Sequence, residues 1–155
     1  MTDLVSIITP MYNSEAYIEE TIKSVIHQSY EKWEMLIIDD GSIDNSINIV
    51  KGYVECDNRI KLIEKEKNQG AAIARNIGIK ESIGRYIAFL DSDDLWMSTK
   101  LEDQIIFMTN NKAVLSYSSY EKIDEFGNHL KNVNIIKTRP TYHDLLKSNH
   151  IGCLT

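Results

Sequence analysis

Cysteine and proline each occur only twice in this chain of 155 residues, and no long apolar run or basic excess accompanies them. Cys56 and Cys153 lie far apart and without metal-ligand spacing, which argues against a disulfide framework or zinc site and for a reducing, cytoplasmic setting. No apolar stretch approaches the length of a membrane span, and the first residues lack the basic-then-apolar pattern of a signal peptide. The net charge of -6 leaves no basic footprint for a nucleic-acid surface. A single nucleotide is still compatible, because a cation can neutralise its phosphates. Glycine-rich phosphate loops of the dinucleotide or P-loop type are missing. His27, His129, His143 and His150 show no ligand spacing and read as surface or packing residues. What is present is an ordinary globular composition, 43% hydrophobic and 26% charged, in a length that suits one domain with a substantial core.

Along the chain, β-branched apolar runs alternate with helical spacing. Residues 4–9 (LVSIIT) read as a buried strand stopped by Pro10. Ser14 reads as an N-cap, with Glu15 in the first turn, for a helix to about Ser29 on which Ile18, Ile22, Val25 and Ile26 keep one face. Residues 33–38 form a second strand, ending in Asp39-Asp40-Gly41-Ser42. Ile47, Val50 and Val54 mark a second helix, and residues 59–63 a third strand. After the loop Asn68-Gln69-Gly70, a helix is predicted over 71–81, where Ala74 and Gly78 allow close packing. Gly84 breaks into a fourth strand over 86–90, and Leu101, Ile105 and Met108 give a later helix. This alternation predicts an α/β fold, a parallel sheet with right-handed connections and helices on both faces. Beyond residue 112 the character changes. A strand is expected over 113–123, a turn over 124–128, a weaker returning strand over 130–136, and a short helix capped by Thr141 through Leu145 and Leu146. The last residues, Ile151 to Thr155, are apolar, with neither a terminal helix nor a polar tail, which suggests a cut through a larger domain.

The most informative feature is Asp91-Ser92-Asp93-Asp94, directly after the apolar run Tyr86-Ile87-Ala88-Phe89-Leu90. Three carboxylates in four residues repel one another, and a hard divalent cation with its preference for oxygen relieves them. Residues two apart in an extended stretch share a side, so Asp91 and Asp93 face together while Ser92 and Asp94 face away. Such a pair can hold a metal, or divide its work between a metal and a sugar hydroxyl; Asp94 alternatively caps the following helix. Thr9-Pro10-Met11-Tyr12-Asn13 and Asp39-Asp40-Gly41-Ser42 also close strands, so in a parallel sheet all three segments converge on one edge, where such sheets bind ligands. Asp-Gly-Ser alone is equally ordinary turn chemistry. Asp40 suits an acceptor for the imide N–H of uracil, and Tyr12 suits stacking on a base. Arg75 suits phosphate by charge and geometry, or is simply a helix-surface arginine.

Four ordered blocks, VSIITPMYN (5–13), IIDDGS (37–42), NQGAAIARN (68–76) and GRYIAFLDSDD (84–94), resemble the family 2 glycosyltransferases of GT-A fold. Residues 120–149 are also similar to the less regular middle segment of that family. The resemblance implies a three-layer αβα, Rossmann-like fold with a mostly parallel central sheet, here C-terminally truncated. It implies a metal-dependent inverting transferase that uses Mg²⁺ or Mn²⁺ and moves a sugar from a nucleotide-sugar donor, UDP-sugar foremost, to a glycan or lipid-linked acceptor. The implied setting is surface-polysaccharide biosynthesis at the cytoplasmic face of the plasma membrane. By motif position, Pro10, Tyr12, Asn13 and Asp40 would line the nucleoside pocket, while Asn68 and Arg75 would border base, ribose or diphosphate. Asp91 and Ser92 would lie beside ribose and phosphate. Asp93, joined by Asp91, would bind the metal of the D-x-D motif. Residues 1–112 would be the nucleotide-binding part and 113–155 the start of the acceptor side of one domain. The general base of the family is a carboxylate in a later acidic motif, which the segments around Asp103, Asp124 and Asp144 do not match. The base and the acceptor site are therefore expected beyond Thr155. Rival readings are a nucleotide-binding module without activity, a signalling receiver, which wants its acidic pair after the first strand, and a nicotinamide dehydrogenase, which wants the missing glycine fingerprint.

Overall fold

Strands β1 (Val5–Met11) and β2 (Trp33–Asp39) are buried at every position, as interior strands of a sheet covered on both faces must be. They belong to a computed structural model that describes residues 3–124, 127–134 and 143. β3 (Ile60–Glu64) and β4 (Tyr86–Phe89) flank them, giving a parallel sheet of order β3-β2-β1-β4. The chain steps outward from β1 to β3 through helices α1 (Ile18–Ile26) and α2 (Ser46–Cys56), then returns past β1 to β4 through α3 (Ala71–Glu81). Right-handed crossovers in opposite directions put α1 and α2 on one face and α3 on the other. In agreement, α1 packs against α2, and α3 lies across β1 and β2. The result is a three-layer αβα architecture.

Close approach of α3 depends on its small residues. Ala74 is fully buried among Ile8, Leu36 and Ile38. A Cβ on Gly78 would lie 2.4 Å from Cγ2 of Ile8 and 2.9 Å from Cδ1 of Ile38. The predicted span of α3 and the packing role of both residues agree with the structure.

Two local expectations fail for identifiable reasons. Pro10 does not stop β1; it sits inside the strand, opposite Ile38. The carbonyl of Ile8 accepts from Leu90 on the β4 side, so the missing N–H of Pro10, two residues on, faces the same side beyond the last residue that β4 pairs. No ladder bond is lost. Ser14 does not cap α1 with its side chain: the helix begins at Ile18, and the Ser14 hydroxyl is instead bonded to Ser92.

The chain divides into two units, Met1–Asp103 and Gln104–Thr155, and the sheet lies in the first. Helix α4 (Lys100–Asn111) buries Leu101 and half-buries Ile105 and Met108, at the spacing expected. In the second unit, β5 (Tyr120–Ile123) and β6 (His129–Asn134) pair antiparallel around a turn in which the Asp124 carboxylate accepts the Asn128 N–H at 2.8 Å. The strand expected from 113 is shorter than its apolar pattern: it begins at Tyr120, and Val114 and Leu115 are exposed. The short helix expected between Thr141 and Leu146, and the segment from Ile151 to Thr155, lie outside the described residues, His143 apart.

Candidate active site

The strand order reverses between β1 and β4, which makes the carboxyl ends of these strands a topological switch point, the usual ligand crevice of an open α/β sheet. A cleft of about 340 Å³ opens there. Pro10 and Tyr12 enter it from the end of β1, Asp40 from the end of β2, and Asp91, Ser92 and Asp93 from the end of β4. Asn68 and Arg75 enter from the loop before α3 and from its second turn. Met11, Gly70 and Ala71 complete the lining.

The two aspartates after β2 divide their work. Asp39 closes a turn: its Oδ2 accepts the N–H groups of Gly41 and Ser42, both at 3.1 Å, so the ordinary turn chemistry belongs to this residue. Asp40 points to the cleft floor and is 3% exposed. It accepts from the Lys65 ammonium, from Gln69 N at 3.0 Å and from Gly70 N at 2.7 Å. Burial by itself raises the Asp40 carboxyl pKa, but Lys65 and the two backbone N–H groups outweigh it and hold the group below its ordinary value. Gly41 makes this possible. Its φ is 81°, and a Cβ there would lie 3.1 Å from Asn68 N, so only glycine lets the loop before α3 fold over the end of β2.

On the β4 side of β1, Arg75 donates to Asp91 Oδ1 at 2.5 Å. Its Nε is buried with no partner among the described residues, so Arg75 is a cleft residue rather than a helix-surface arginine. Asp93 is exposed to the cleft. Ser92 reaches the wall but commits its hydroxyl to Ser14 at 2.7 Å, and its carbonyl accepts from Thr21 Oγ1 at 3.1 Å. Asp94 does not cap α4, which begins only at Lys100. Burial, then the negative charge of Asp93 and Asp91, pushes its carboxyl up to about 7. Asn13 (φ 49°) stands outside the lining as a brace: its N–H donates to Ser42 Oγ and its Oδ1 accepts from Ile43 N, both at 2.9 Å.

Among the described residues no group of three or more His, Cys, Asp or Glu is arranged to hold a metal. Asp91 and Asp93 both line the cleft, and two carboxylates are a donor set whose chemistry suits a cation completed by its substrate. Mg²⁺ is commonly bound by one or two carboxylates and completed by substrate phosphate, rather than caged by protein alone. Sequence reasoning missed Lys65. The signal was available, since Lys65 follows β3 directly and so lies on the edge to which the other strand ends converge.

The sequence matches the model of "Glycosyl transferase family 2" over residues 6–154. It is 46% identical over 152 residues to the Escherichia coli protein named UDP-Glc:alpha-D-GlcNAc-diphosphoundecaprenol beta-1,3-glucosyltransferase WfgD, covering 98% of this chain and 58% of that protein. It is 45% identical over 152 residues to the Bacillus subtilis (strain 168) glycosyltransferase TuaG, whose name places it provisionally in teichuronic acid biosynthesis; 98% of this chain and 60% of that protein are covered. The chain thus spans about 60% of the length of such relatives. Among solved structures, residues 1–349 of S. aureus TarS in complex with UDP-GlcNAc superpose with a TM-score of 0.65 at 28% identity, over 77% of this chain and 40% of that one. With the family pattern running through nearly all of its length and a GT-A-type sheet beneath it, the chain belongs to glycosyl transferase family 2.

Proposed function

We propose that the cleft is the donor site of a metal-dependent, inverting glycosyltransferase that takes a UDP-sugar and serves surface-polysaccharide or glycolipid biosynthesis. The observation that carries this reading is that one cleft holds an ionised acceptor, Asp40, from the end of β2, an exposed tyrosine from the end of β1, and a carboxylate pair with an arginine from the end of β4 and from α3. That combination of chemistry suits a nucleoside diphosphate. Tyr12, 47% exposed, offers its ring face to the base, and Asp40 accepts the imide N–H. Arg75, whose side chain is partly exposed in the cleft, donates to phosphate oxygen. Asp91 and Asp93 would hold Mg²⁺ or Mn²⁺, which when bound supplies Lewis-acid stabilisation of the charge developing on the leaving diphosphate. Ser92 and Asn13 keep the loops that carry these groups in register. Residues 1–112 form the donor side and 113–155 open the acceptor side; the general base is assigned to no residue of this chain.

The named substrates of the relatives support a UDP-sugar donor and a lipid-linked acceptor. Among the described residues no helix is long and apolar enough to cross a membrane, so work on such an acceptor at the cytoplasmic face would be peripheral. Titration calorimetry with UDP tests the reading. Binding is expected to strengthen at least about tenfold when Mn²⁺ is added, and Asp93→Ala is expected to abolish that gain. Absence of UDP binding, or a metal effect that survives Asp93→Ala, overturns it.

A further inference from the structure

A carboxylate as buried as Asp40 is stable only when paired and hydrogen-bonded. Its counter-charge is Lys65, the residue that follows β3; the two side chains are 4% and 10% exposed. The backbone of Lys65 is itself anchored, its N–H donating to the Asp39 carbonyl at 3.0 Å, so the ammonium is placed by the β2–β3 register rather than by a free loop. The N–H groups of Gln69 and Gly70 complete the surroundings of the carboxylate. Three donors serve the two oxygens, and Gln69 N is shared between them at 3.0 and 3.1 Å, so of about four lone-pair positions the one held only by this shared contact is open to a ligand N–H. Lys65 is not among the residues that line the cleft, so it acts on a ligand only through Asp40.

We infer that Lys65 is a positioning residue that keeps Asp40 a permanent hydrogen-bond acceptor and thereby sets which base the cleft takes. The inference rests on the donor-site reading above. An acceptor-only group favours a base that presents an N–H, as uracil does at N3, and repels one that presents a ring-nitrogen lone pair at the same place, as cytosine does. Lysine is suited to the task because an ammonium has donors and no acceptor, so its presence fixes the charge on its partner. Without it, the buried carboxylate keeps two backbone N–H groups but loses its counter-charge, and taking up a proton is its cheapest relief. A carboxylic acid both donates and accepts, and the distinction between the two bases fades.

UDP and CDP share their diphosphate, ribose and base size, so the ratio of their affinities isolates the base edge. Both are titrated in the presence of Mn²⁺ against the wild-type chain, Lys65→Met and Lys65→Arg, with thermal unfolding followed in parallel. The wild type is expected to prefer UDP. Lys65→Met is expected to lower that preference about tenfold, the equivalent of one charge-assisted hydrogen bond, and Lys65→Arg to restore most of it. An equal loss of both nucleotides would mark Lys65 as merely structural and overturn the inference, as would an unchanged ratio. Should Lys65→Met fail to fold, Lys65→Gln, which keeps a donor without the charge, reads the same ratio. A wild-type chain that binds UDP well but does not discriminate overturns the inference alone, whereas one that binds no UDP overturns the donor-site reading with it.

Discussion

The two edges of the sheet use one device to opposite ends. β3 supplies Lys61 and β3's exit supplies Lys65, and each neutralises a buried carboxylate, Glu34 near the start of β2 and Asp40 just past its end. At the amino edge the carboxylate is matched wholly within the fold. Glu34 Oε1 accepts from Ser6 Oγ at 2.6 Å and from Ile83 N at 3.0 Å, while Oε2 accepts from Lys61 at 2.8 Å. Ser6 Oγ in turn accepts from Gly84 N at 2.8 Å, so one carboxylate ties β1, β2 and the approach to β4 together. At the carboxyl edge the same kind of pair opens on a cleft that Arg75, Asp91 and Asp93 also line. Buried charges cost stability unless matched, so a carboxylate matched wholly by the fold serves stability, while one that also faces a cleft is placed to meet a ligand. Stability should therefore be the readout of the amino edge, and binding the readout of the carboxyl edge.

The largest expected effect is Gly84→Ala. A Cβ there would lie 2.6 Å from both N and Oγ of Ser6 and 2.8 Å from the Leu4 carbonyl. These are mostly backbone atoms of an interior strand and have nowhere to move. Denaturant unfolding is expected to show a loss of about 3 kcal/mol or more, while the folded fraction binds UDP with unchanged affinity. A comparable loss of UDP affinity in that fraction would mean that the two edges are not separable.

Glu34→Gln comes next, at about 2 kcal/mol, because Ser6 and Ile83 keep their acceptor while an uncharged amide NH2, itself a donor, must face the Lys61 ammonium. It also has a pH signature. Burial raises the Glu34 carboxyl, but Lys61, Ser6 and the Ile83 N–H outweigh it, and the folded-state value lies below the ordinary one. A depressed carboxyl stabilises the fold fully above the unfolded pKa, and that contribution is lost as pH falls through the folded one. The wild type should therefore lose stability on acidification more steeply than Glu34→Gln, whose curve flattens in that window. Parallel slopes for the two chains would show that Glu34 is not the group being titrated.

This contrast also explains what could be read from the sequence. The four βα blocks were legible because local signals agree there: β-branched runs, helical spacing, Ala74 and Gly78 where a helix meets the sheet. Tyr12, Asp40, Asp91 and Asp93 were legible as neighbours because strand ends of a parallel sheet converge whatever the side chains do. Pairing was not legible. Whether residues 113–119 form a strand depends on a partner elsewhere, and an apolar pattern carries no record of one. The same limit hid Lys65 and the Ser14–Ser92 bond, since a lysine after a strand and a serine before a helix each have a commonplace local reading. Asn13, expected by its motif among the binding residues, is outside the cleft lining and hydrogen-bonds Ser42 and Ile43, a bracing contact that its motif does not record.

The smallest expected effect on stability, and the sharpest test of the contrast, is Asp93→Ala. Asp93 is exposed and makes no ion pair among those found in the described residues, so its removal costs no packed contact. It also takes a negative charge away from Asp94, whose carboxyl is pushed up partly by that charge. Thermal unfolding without metal should therefore stay within about 0.5 kcal/mol of the wild type, in either direction. The gain in UDP affinity on adding Mn²⁺ should vanish in the same preparation. Loss of the metal effect together with the fold would make the acidic loop a structural element like Glu34. Loss of the metal effect from a chain as stable as before would leave only one account: the carboxyl edge keeps charges that the fold does not need because something else binds them.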